Sequence, residues 1–151
     1  MDGIKKLDKK KRIVLIAHDN KKKELAEWVA DNKNALSKHE LYATGTTGKM
    51  IEEIAQTPVA KLLSGPLGGD QQVGSMLAQG LLDIMIFFWD PMESQAHDSD
   101  VKALLRLGAV WNIPLACDRA TADFLITSPF MNEEYNVIMP DYSSYLSRKI
   151  K

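Results

Sequence analysis

The chain has one cysteine, Cys117, in 151 residues. A single thiol forms no internal disulfide, and no Cys/His cluster has the spacing of a zinc site. Long hydrophobic runs are missing too. After a basic start, the first apolar stretch covers only residues 13–17. A secretory signal needs a longer apolar region, and a membrane-spanning helix needs about 20 residues. Excess charge of one sign is also absent: 19 Lys and Arg face 20 Asp and Glu, a net charge of −1. Nothing therefore draws the chain as a whole toward nucleic acid or an anionic membrane. Repeats and low-complexity tracts are lacking as well. The expectation is a cytoplasmic protein with neither nucleic acid nor membrane as partner.

What is present suits one globular domain spanning residues 1–151, with 45% hydrophobic residues to build a core. The basic run from Lys5 to Arg12 reads as a solvated extension, so residues 1–10 are expected to be a flexible N-terminal tail.

Strand-like and helix-like runs then alternate. Residues 12–17 are a compact apolar run of the kind found in buried parallel strands. In residues 21–32, Leu25, Trp28 and Val29 fall at i, i+3 and i+4, the spacing of an amphipathic helix. Residues 39–43 form a second strand candidate, followed by a Thr/Gly loop and a short helix at 49–56. Residues 60–63 are a third strand, and a helix follows over 71–79 with Gly80 as its stop. Residues 84–89 are the clearest strand, six apolar residues ended by Asp90-Pro91. The spacing of Val101, Leu104, Leu105, Gly108 and Trp111 predicts a helix over 99–111. A strand at 113–117, a helix at 121–127, a weak edge strand at 135–139 and a terminal helix at 143–149 complete the chain. This alternation implies an α/β fold, a mostly parallel sheet with helices on both faces. Ligands bind such sheets outside the carboxyl ends of the strands. His18-Asp19, Thr44-Gly45-Thr46-Thr47-Gly48, Ser64-Gly65-Pro66-Leu67-Gly68-Gly69-Asp70 and Asp90 each fall just past a proposed strand.

Two of these segments are dense in glycine and hydroxyls, a composition that lets backbone N–H and Ser/Thr O–H groups close around a phosphate. The first is not a Walker A loop. Gly45 and Gly48 are too close together, and Lys49 is followed by Met50 rather than Ser or Thr. Each candidate also has a plainer reading. Thr46 or Thr47 can cap a helix, Lys22 sits between Lys21 and Lys23 as a solvated lysine would, and Asp70 suits a helix N-cap as well as a general base. His97, before Asp98-Ser99-Asp100, is either a surface residue at a helix start or a neutral imidazole that donates to a substrate oxygen. His18 has the same two readings.

The residues that settle among these readings are strings. Arg12 to Asp19 with Lys22, then Tyr42 to Gly48, Leu63 to Gly74, Phe87-Phe88-Trp89-Asp90-Pro91, His97-Asp98 and Asp100 to Arg106 together resemble methylglyoxal synthase. The Gly-Gly-Asp-Gln-Gln and Phe-Phe-Trp-Asp strings are the most specific, and the likeness runs from about residue 12 to the end. The resemblance implies a five-stranded sheet flanked by helices and a homohexamer. It implies conversion of dihydroxyacetone phosphate to methylglyoxal and inorganic phosphate, with no metal and no organic cofactor. It also implies inhibition by phosphate, since product and inhibitor share one cradle. By similarity Asp70 is the catalytic base, His97 meets the substrate oxygens and Asp100 completes the catalytic set. His18, Lys22, Thr44, Gly45, Thr46, Thr47, Ser64 and Gly65 hold substrate, chiefly its phosphate, while Asp19 and Asp90 support the site. The family's arginine near the C-terminus aligns here with Lys149, beside Arg148, and either cation suits the phosphate. A regulatory module of the same fold that senses a phosphorylated ligand is the alternative; it needs the phosphate loops but not Asp70, His97 and Asp100 together.

Overall fold

A computed structural model describes residues 3–93 and 98–148, and no helix among the described residues is long and apolar enough to cross a membrane. The strands are β1 (Ile4–Leu7), β2 (Arg12–Ala17), β3 (Glu40–Thr44), β4 (Ala60–Leu62), β5 (Ile84–Phe88), β6 (Leu115–Ala116) and β7 (Tyr135–Ile138). The helices are α1 (Lys22–Asp31), α2 (Lys33–Leu36), α3 (Gly45–Ala55), α4 (Gly69–Ala78), α5 (Asp98–Val110), α6 (Arg119–Thr127) and α7 (Ser143–Leu146). Five strands form a parallel sheet, as the resemblance implies, in the order β4-β3-β2-β5-β6; the strand expected at the edge, β7, pairs instead with β1 in a separate two-stranded sheet. Because side chains alternate across a strand, β2 serves two cores. Ile13, Leu15 and Ala17 pack with Leu25, Trp28 and Val29 of α1, Ile51 of α3 and Ile126 of α6. Val14 and Ile16 pack with Val73 and Leu77 of α4 and Val101 and Leu104 of α5. The result is three layers.

The chain leaves β2 toward β3 and β4, then crosses back to β5 on the other side of β2. Strand order therefore reverses between β2 and β5, where an open α/β sheet leaves a crevice at its carboxyl end.

Three expectations, and one plainer reading weighed against them, need correction. Residues 1–10 are not simply a tail: Ile4–Leu7 pairs antiparallel with Tyr135–Ile138. The lysines that suggested solvation are tied down. Lys5 Nζ donates to the Leu82 carbonyl at 2.8 Å, and Lys11, 2% exposed, donates to the carbonyls of Asp8 and Glu133. The Thr/Gly segment is not a loop, because Thr44 ends β3 and Gly45 starts α3 directly. Asp70 is not an N-cap: α4 begins at Gly69, and Gly68, with φ +105°, holds the cap position. Finally β6 shrinks to two residues, since Pro114 has no N–H for the ladder, although its carbonyl accepts from the Met85 amide at 3.0 Å.

The amino end of the central strand pair is held by charge. Asp83, 3% exposed, accepts from the Arg12 backbone N–H at 2.8 Å and from its guanidinium at 2.9 and 3.2 Å. Burial pushes the Asp83 carboxyl up, but the Arg12 hydrogen bonds outweigh it and hold the group below the usual carboxylate range. Nearby, the His39 ring accepts the Lys11 backbone N–H at 2.9 Å. Burial, with the Lys11 charge, lowers its pKa below the ordinary 6.5.

Asp83→Ala is expected to cost about 2–4 kcal/mol in urea unfolding, less than the largest losses for a broken buried pair because Arg12 keeps 33% of its side chain exposed. A depressed folded-state carboxyl stabilises the fold above the unfolded value, so this contribution disappears as pH falls below about 4. For His39 the unfolded ring binds its proton first. Stability should be independent of this group above about pH 6.5 and decline as pH falls from there. His39→Gln should flatten that part of the profile in unfolding titrations between about pH 5 and 7.

Candidate active site

The carboxyl rim of the sheet is built from four strand ends. Past β2 stand His18 and Asp19, at the end of β3 stands Thr44, past β4 come Ser64 and Gly65, and past β5 comes Asp90. Two hydrogen bonds close the rim across the crevice. The His18 amide donates to the Phe88 carbonyl at 3.1 Å, and the Asp90 amide donates to His18 Nδ1 at 3.0 Å. Because Nδ1 accepts, the neutral His18 ring carries its proton on Nε2. The ring stands edge-on to Phe87, centroids 5.6 Å apart.

Between these ends lies a cleft of about 160 Å³, lined by Ile16, Ala17, His18, Asp19, Lys22, Thr44, Thr46, Gly65, Pro66, Asp70, Phe87 and Glu93. Lys22 Nζ donates to Asp19 Oδ1 at 2.6 Å and to Thr46 Oγ1 at 2.7 Å. The lysine therefore faces the cleft and is not one more solvated member of its run. Helix α3 begins at the cleft wall, and its first-turn amides and positive dipole end favour an anion there. A carboxylate-bound ammonium, two threonine hydroxyls and a helix start make a cradle of anion-type donors at this wall.

The Gly-rich turn brings Asp70 to this cradle. The Ser64 carbonyl accepts from the amides of Leu67 and Gly69 at 3.0 and 2.9 Å, closing a tight turn over Gly65–Leu67. Gln72 Oε1 accepts the Leu63 amide at 2.7 Å and ties the turn to α4. The decisive contact is at Gly69: a Cβ there would lie 2.0 Å from the Leu63 carbonyl oxygen. Only glycine lets α4 start this close to β4, and that closeness carries Asp70 into the cleft. Both Asp70 carboxylate oxygens lie 3.8 Å from where a Gly65 Cβ would stand.

Other residues singled out from sequence play different parts. Thr47 is fully buried, its hydroxyl 3.5 Å from that of Thr44, so it underlies the wall. Gly45 and Ser64 contribute backbone and do not line the cleft. Asp90 braces the rim: its carboxylate accepts from Asn20 Nδ2 at 3.1 Å and the Met92 amide at 2.9 Å. Those bonds, the Asn20 one first, hold its pKa below the ordinary value, so it is ionised at neutral pH. His97 and Lys149 lie outside the described residues, and of Asp100 only the backbone, in α5, is described. The Arg148 guanidinium sits 3.7 Å above the Tyr145 ring. Sequence reading passed over Glu93, whose carboxylate comes within 3.6 Å of His18 Nδ1; a glutamate in a turn gives no sign of facing a cleft. Among the described residues no three His, Cys, Asp or Glu side chains are grouped for a metal ion.

The model of the MGS-like domain matches residues 24–117, which carry Thr44 and Thr46, the Gly-rich turn and the β5 rim; His18, Asp19 and Lys22 lie just before the match. The chain is 53% identical to the methylglyoxal synthase of Saccharophagus degradans over 145 residues, 96% of this chain and 94% of that one. The chain belongs to the methylglyoxal synthase family. Another family member, the methylglyoxal synthase of Leptospira interrogans, is 55% identical over 138 residues, covering 91% of this chain and 93% of its own. The crystal structure of methylglyoxal synthase from Elizabethkingia anophelis superposes with a TM-score of 0.93 at 59% identity, covering 98% of this chain and 97% of that one. Family membership makes the chain an enzyme that acts on a small-molecule substrate.

Two glycines separate the demands of fold and site. Gly69→Ala must push the Gly-rich turn off α4, and it should cost about 1–3 kcal/mol of stability together with most inorganic phosphate binding. Gly65→Ala meets only ordinary contacts and should unfold like the wild type. Lys22→Ala removes a charge-assisted donor worth about 1.5–3 kcal/mol, so calorimetry should show phosphate binding weakened about 10- to 150-fold.

Proposed function

We infer that this chain is a carbon–oxygen lyase that converts dihydroxyacetone phosphate to methylglyoxal and inorganic phosphate. The observation that carries the reading is one cleft holding both a phosphate cradle and the Asp70 carboxylate, at the point where strand order reverses. Phosphate alone needs no base, and a base alone needs no cradle.

The substrate has a carbonyl flanked by a hydroxymethyl carbon and a phosphate ester carbon. Asp70 takes a proton from the hydroxymethyl carbon, and the released electron pair forms the enediolate. Positioned proton transfer of this kind contributes typically ~10²–10⁴-fold. The enediolate oxygen needs donors already aimed at it. His18 Nε2–H is one, supported by the Asp90 amide on the ring's other nitrogen, and His97 is assigned the same role by resemblance, with Asp100 completing the set. Electrons then return from the enediolate, the bridging C–O bond breaks and phosphate leaves. The remaining enol takes a proton on its terminal carbon and gives up its hydroxyl proton to become methylglyoxal.

The cradle decides which product forms. Phosphate leaves only when the bridging C–O bond stands out of the enediolate plane and overlaps its π electrons; in the plane, elimination is suppressed. Lys22, Thr44 and Thr46, with the backbone of Gly65, grip the phosphate from three segments and hold that rotamer, while Gly45, Thr47 and Ser64 shape the wall behind them. Asp19 sets Lys22, and Asp90 sets His18. The proposal extends to a cytoplasmic homohexamer of single-domain subunits inhibited by inorganic phosphate in the same cradle, with no organic cofactor or metal.

Incubation with dihydroxyacetone phosphate should yield methylglyoxal and phosphate in equal amounts. In a folded Asp70→Asn variant kcat should fall by ~10²–10⁴ with phosphate still bound. Saturable phosphate binding without turnover in the wild type would sink the lyase reading.

A further inference from the structure

We propose that Gln72 is a positioning residue for Asp70. Its side chain fixes the direction in which α4 leaves the Gly-rich turn, and so the place of the carboxylate against the reacting carbon. The proposal rests on the lyase reading above, in which Asp70 takes the proton.

The helix needs more than one attachment to the strand end before it. The contact at Gly69 limits how closely α4 approaches β4, but a steric limit by itself holds nothing in place. The Gly69 amide, bonded to the Ser64 carbonyl at 2.9 Å, attaches the first residue of the helix. That bond alone leaves the helix free to pivot. Gln72 supplies a second attachment. Its Oε1 accepts the Leu63 amide at 2.7 Å, nine residues back along the chain. A backbone amide only donates, so the side-chain amide must turn its oxygen toward Leu63. The pairing of β4 with β3 ends at Leu62, and the next amide takes this side chain as its acceptor. Gly69 and Gln72 are three residues apart, on one face of α4, and they bond to the neighbouring residues Ser64 and Leu63. Two ties fix a direction where one does not. Asp70 lies between them in the chain and lines the cleft.

Leu63 also anchors the other half of the site. Its carbonyl accepts from the amide of Gly45, the first residue of α3, at 3.4 Å. Thr46, which accepts from Lys22, follows directly. The start of α3 is thus tied to the carbonyl of Leu63, and α4 to its amide. The separation between the phosphate donors and Asp70 is set through this one residue. Lys22, Thr44 and Thr46 stand on α1, β3 and α3, so their grip does not depend on Gln72. Without the tie the phosphate stays held while the base drifts from the carbon it must reach. A misplacement of about 1 Å can cost ~10²-fold in rate.

The test compares two variants in dihydroxyacetone phosphate turnover and in calorimetric binding of inorganic phosphate. Gln72→Met keeps the length of the side chain and removes the acceptor. Gln72→Glu keeps an acceptor oxygen, and a carboxylate near a helix start is favoured. In Gln72→Met kcat should fall about tenfold, while the dissociation constant for phosphate moves less than about threefold. Gln72→Glu should keep kcat within about threefold of the wild type. An unchanged kcat in Gln72→Met overturns the proposal. So does a loss of phosphate affinity as large as the loss of kcat, which would make the tie a support of the whole cleft. A Gln72→Glu as slow as Gln72→Met overturns it too, because the hydrogen bond would not be the cause. Should Gln72→Met fail to fold in urea titrations, Gln72→Asn, one methylene shorter, replaces it on the same criteria. A wild type that turns over no dihydroxyacetone phosphate overturns the lyase reading, and the role of Gln72 with it.

Discussion

The pairing of β2 with β5 is the constraint on which the rest of the molecule depends. Ile13 to Ala17 run in register with Ile84 to Phe88, and each end of the pair is closed by polar bonds. At the amino end Arg12 grips the buried Asp83 through backbone and guanidinium. At the carboxyl end His18 and Asp90 exchange bonds through the Phe88 carbonyl and the imidazole. Apolar burial supplies the driving force but has no direction. The polar bonds supply direction. A slip of one residue would turn every side chain of β2 to the opposite core and separate Arg12 from Asp83.

That pairing also creates the site. The chain passes outward from β2 through β3 to β4 and must return across the sheet to β5. The return leaves a crevice that no crossover helix fills, and four strand ends open into it. Each end delivers one kind of group: an imidazole from β2, hydroxyls and a helix start from β3, a tight backbone turn from β4, a braced carboxylate from β5. The lysine that completes the cradle comes from the first residue of α1. Chemistry assembled this way needs no long loops. It needs close backbone approach, and Gly69 against Leu63 is where that approach is tightest.

Much of this was legible in the chain. The apolar runs of β2 and β5 are buried on both faces, so their strand character shows without any knowledge of neighbours. Leu25, Trp28 and Val29 mark α1 by spacing alone, and all three are fully buried. The rim residues follow because polar residues after such runs lie at strand ends. Failures have physical causes. Lys5 and Lys11 look solvated, yet their ammonium groups reach main-chain carbonyls of distant segments while their stems lie inside. Thr44-Gly45-Thr46-Thr47-Gly48 reads as a loop because glycine and threonine are poor helix formers. The helix forms anyway, since Gly48 packs against Lys61 and Val59 where a larger residue would crowd them. Glu93 was missed because nothing local distinguishes a cleft-facing glutamate from a solvated one.

The sequence by itself determined the alternation of strands and helices, the parallel sheet and the set of phosphate-type donors at its rim. Each of these depends on residue type and spacing along the chain, which local physics reads directly. Tertiary structure decided which donors meet. It seated Lys22 between Asp19 and Thr46, buried Thr47 beneath Thr44, and drew the N-terminal strand against β7. Those outcomes are set by contacts between residues far apart in the chain, and no local pattern encodes a distance that only the folded core fixes.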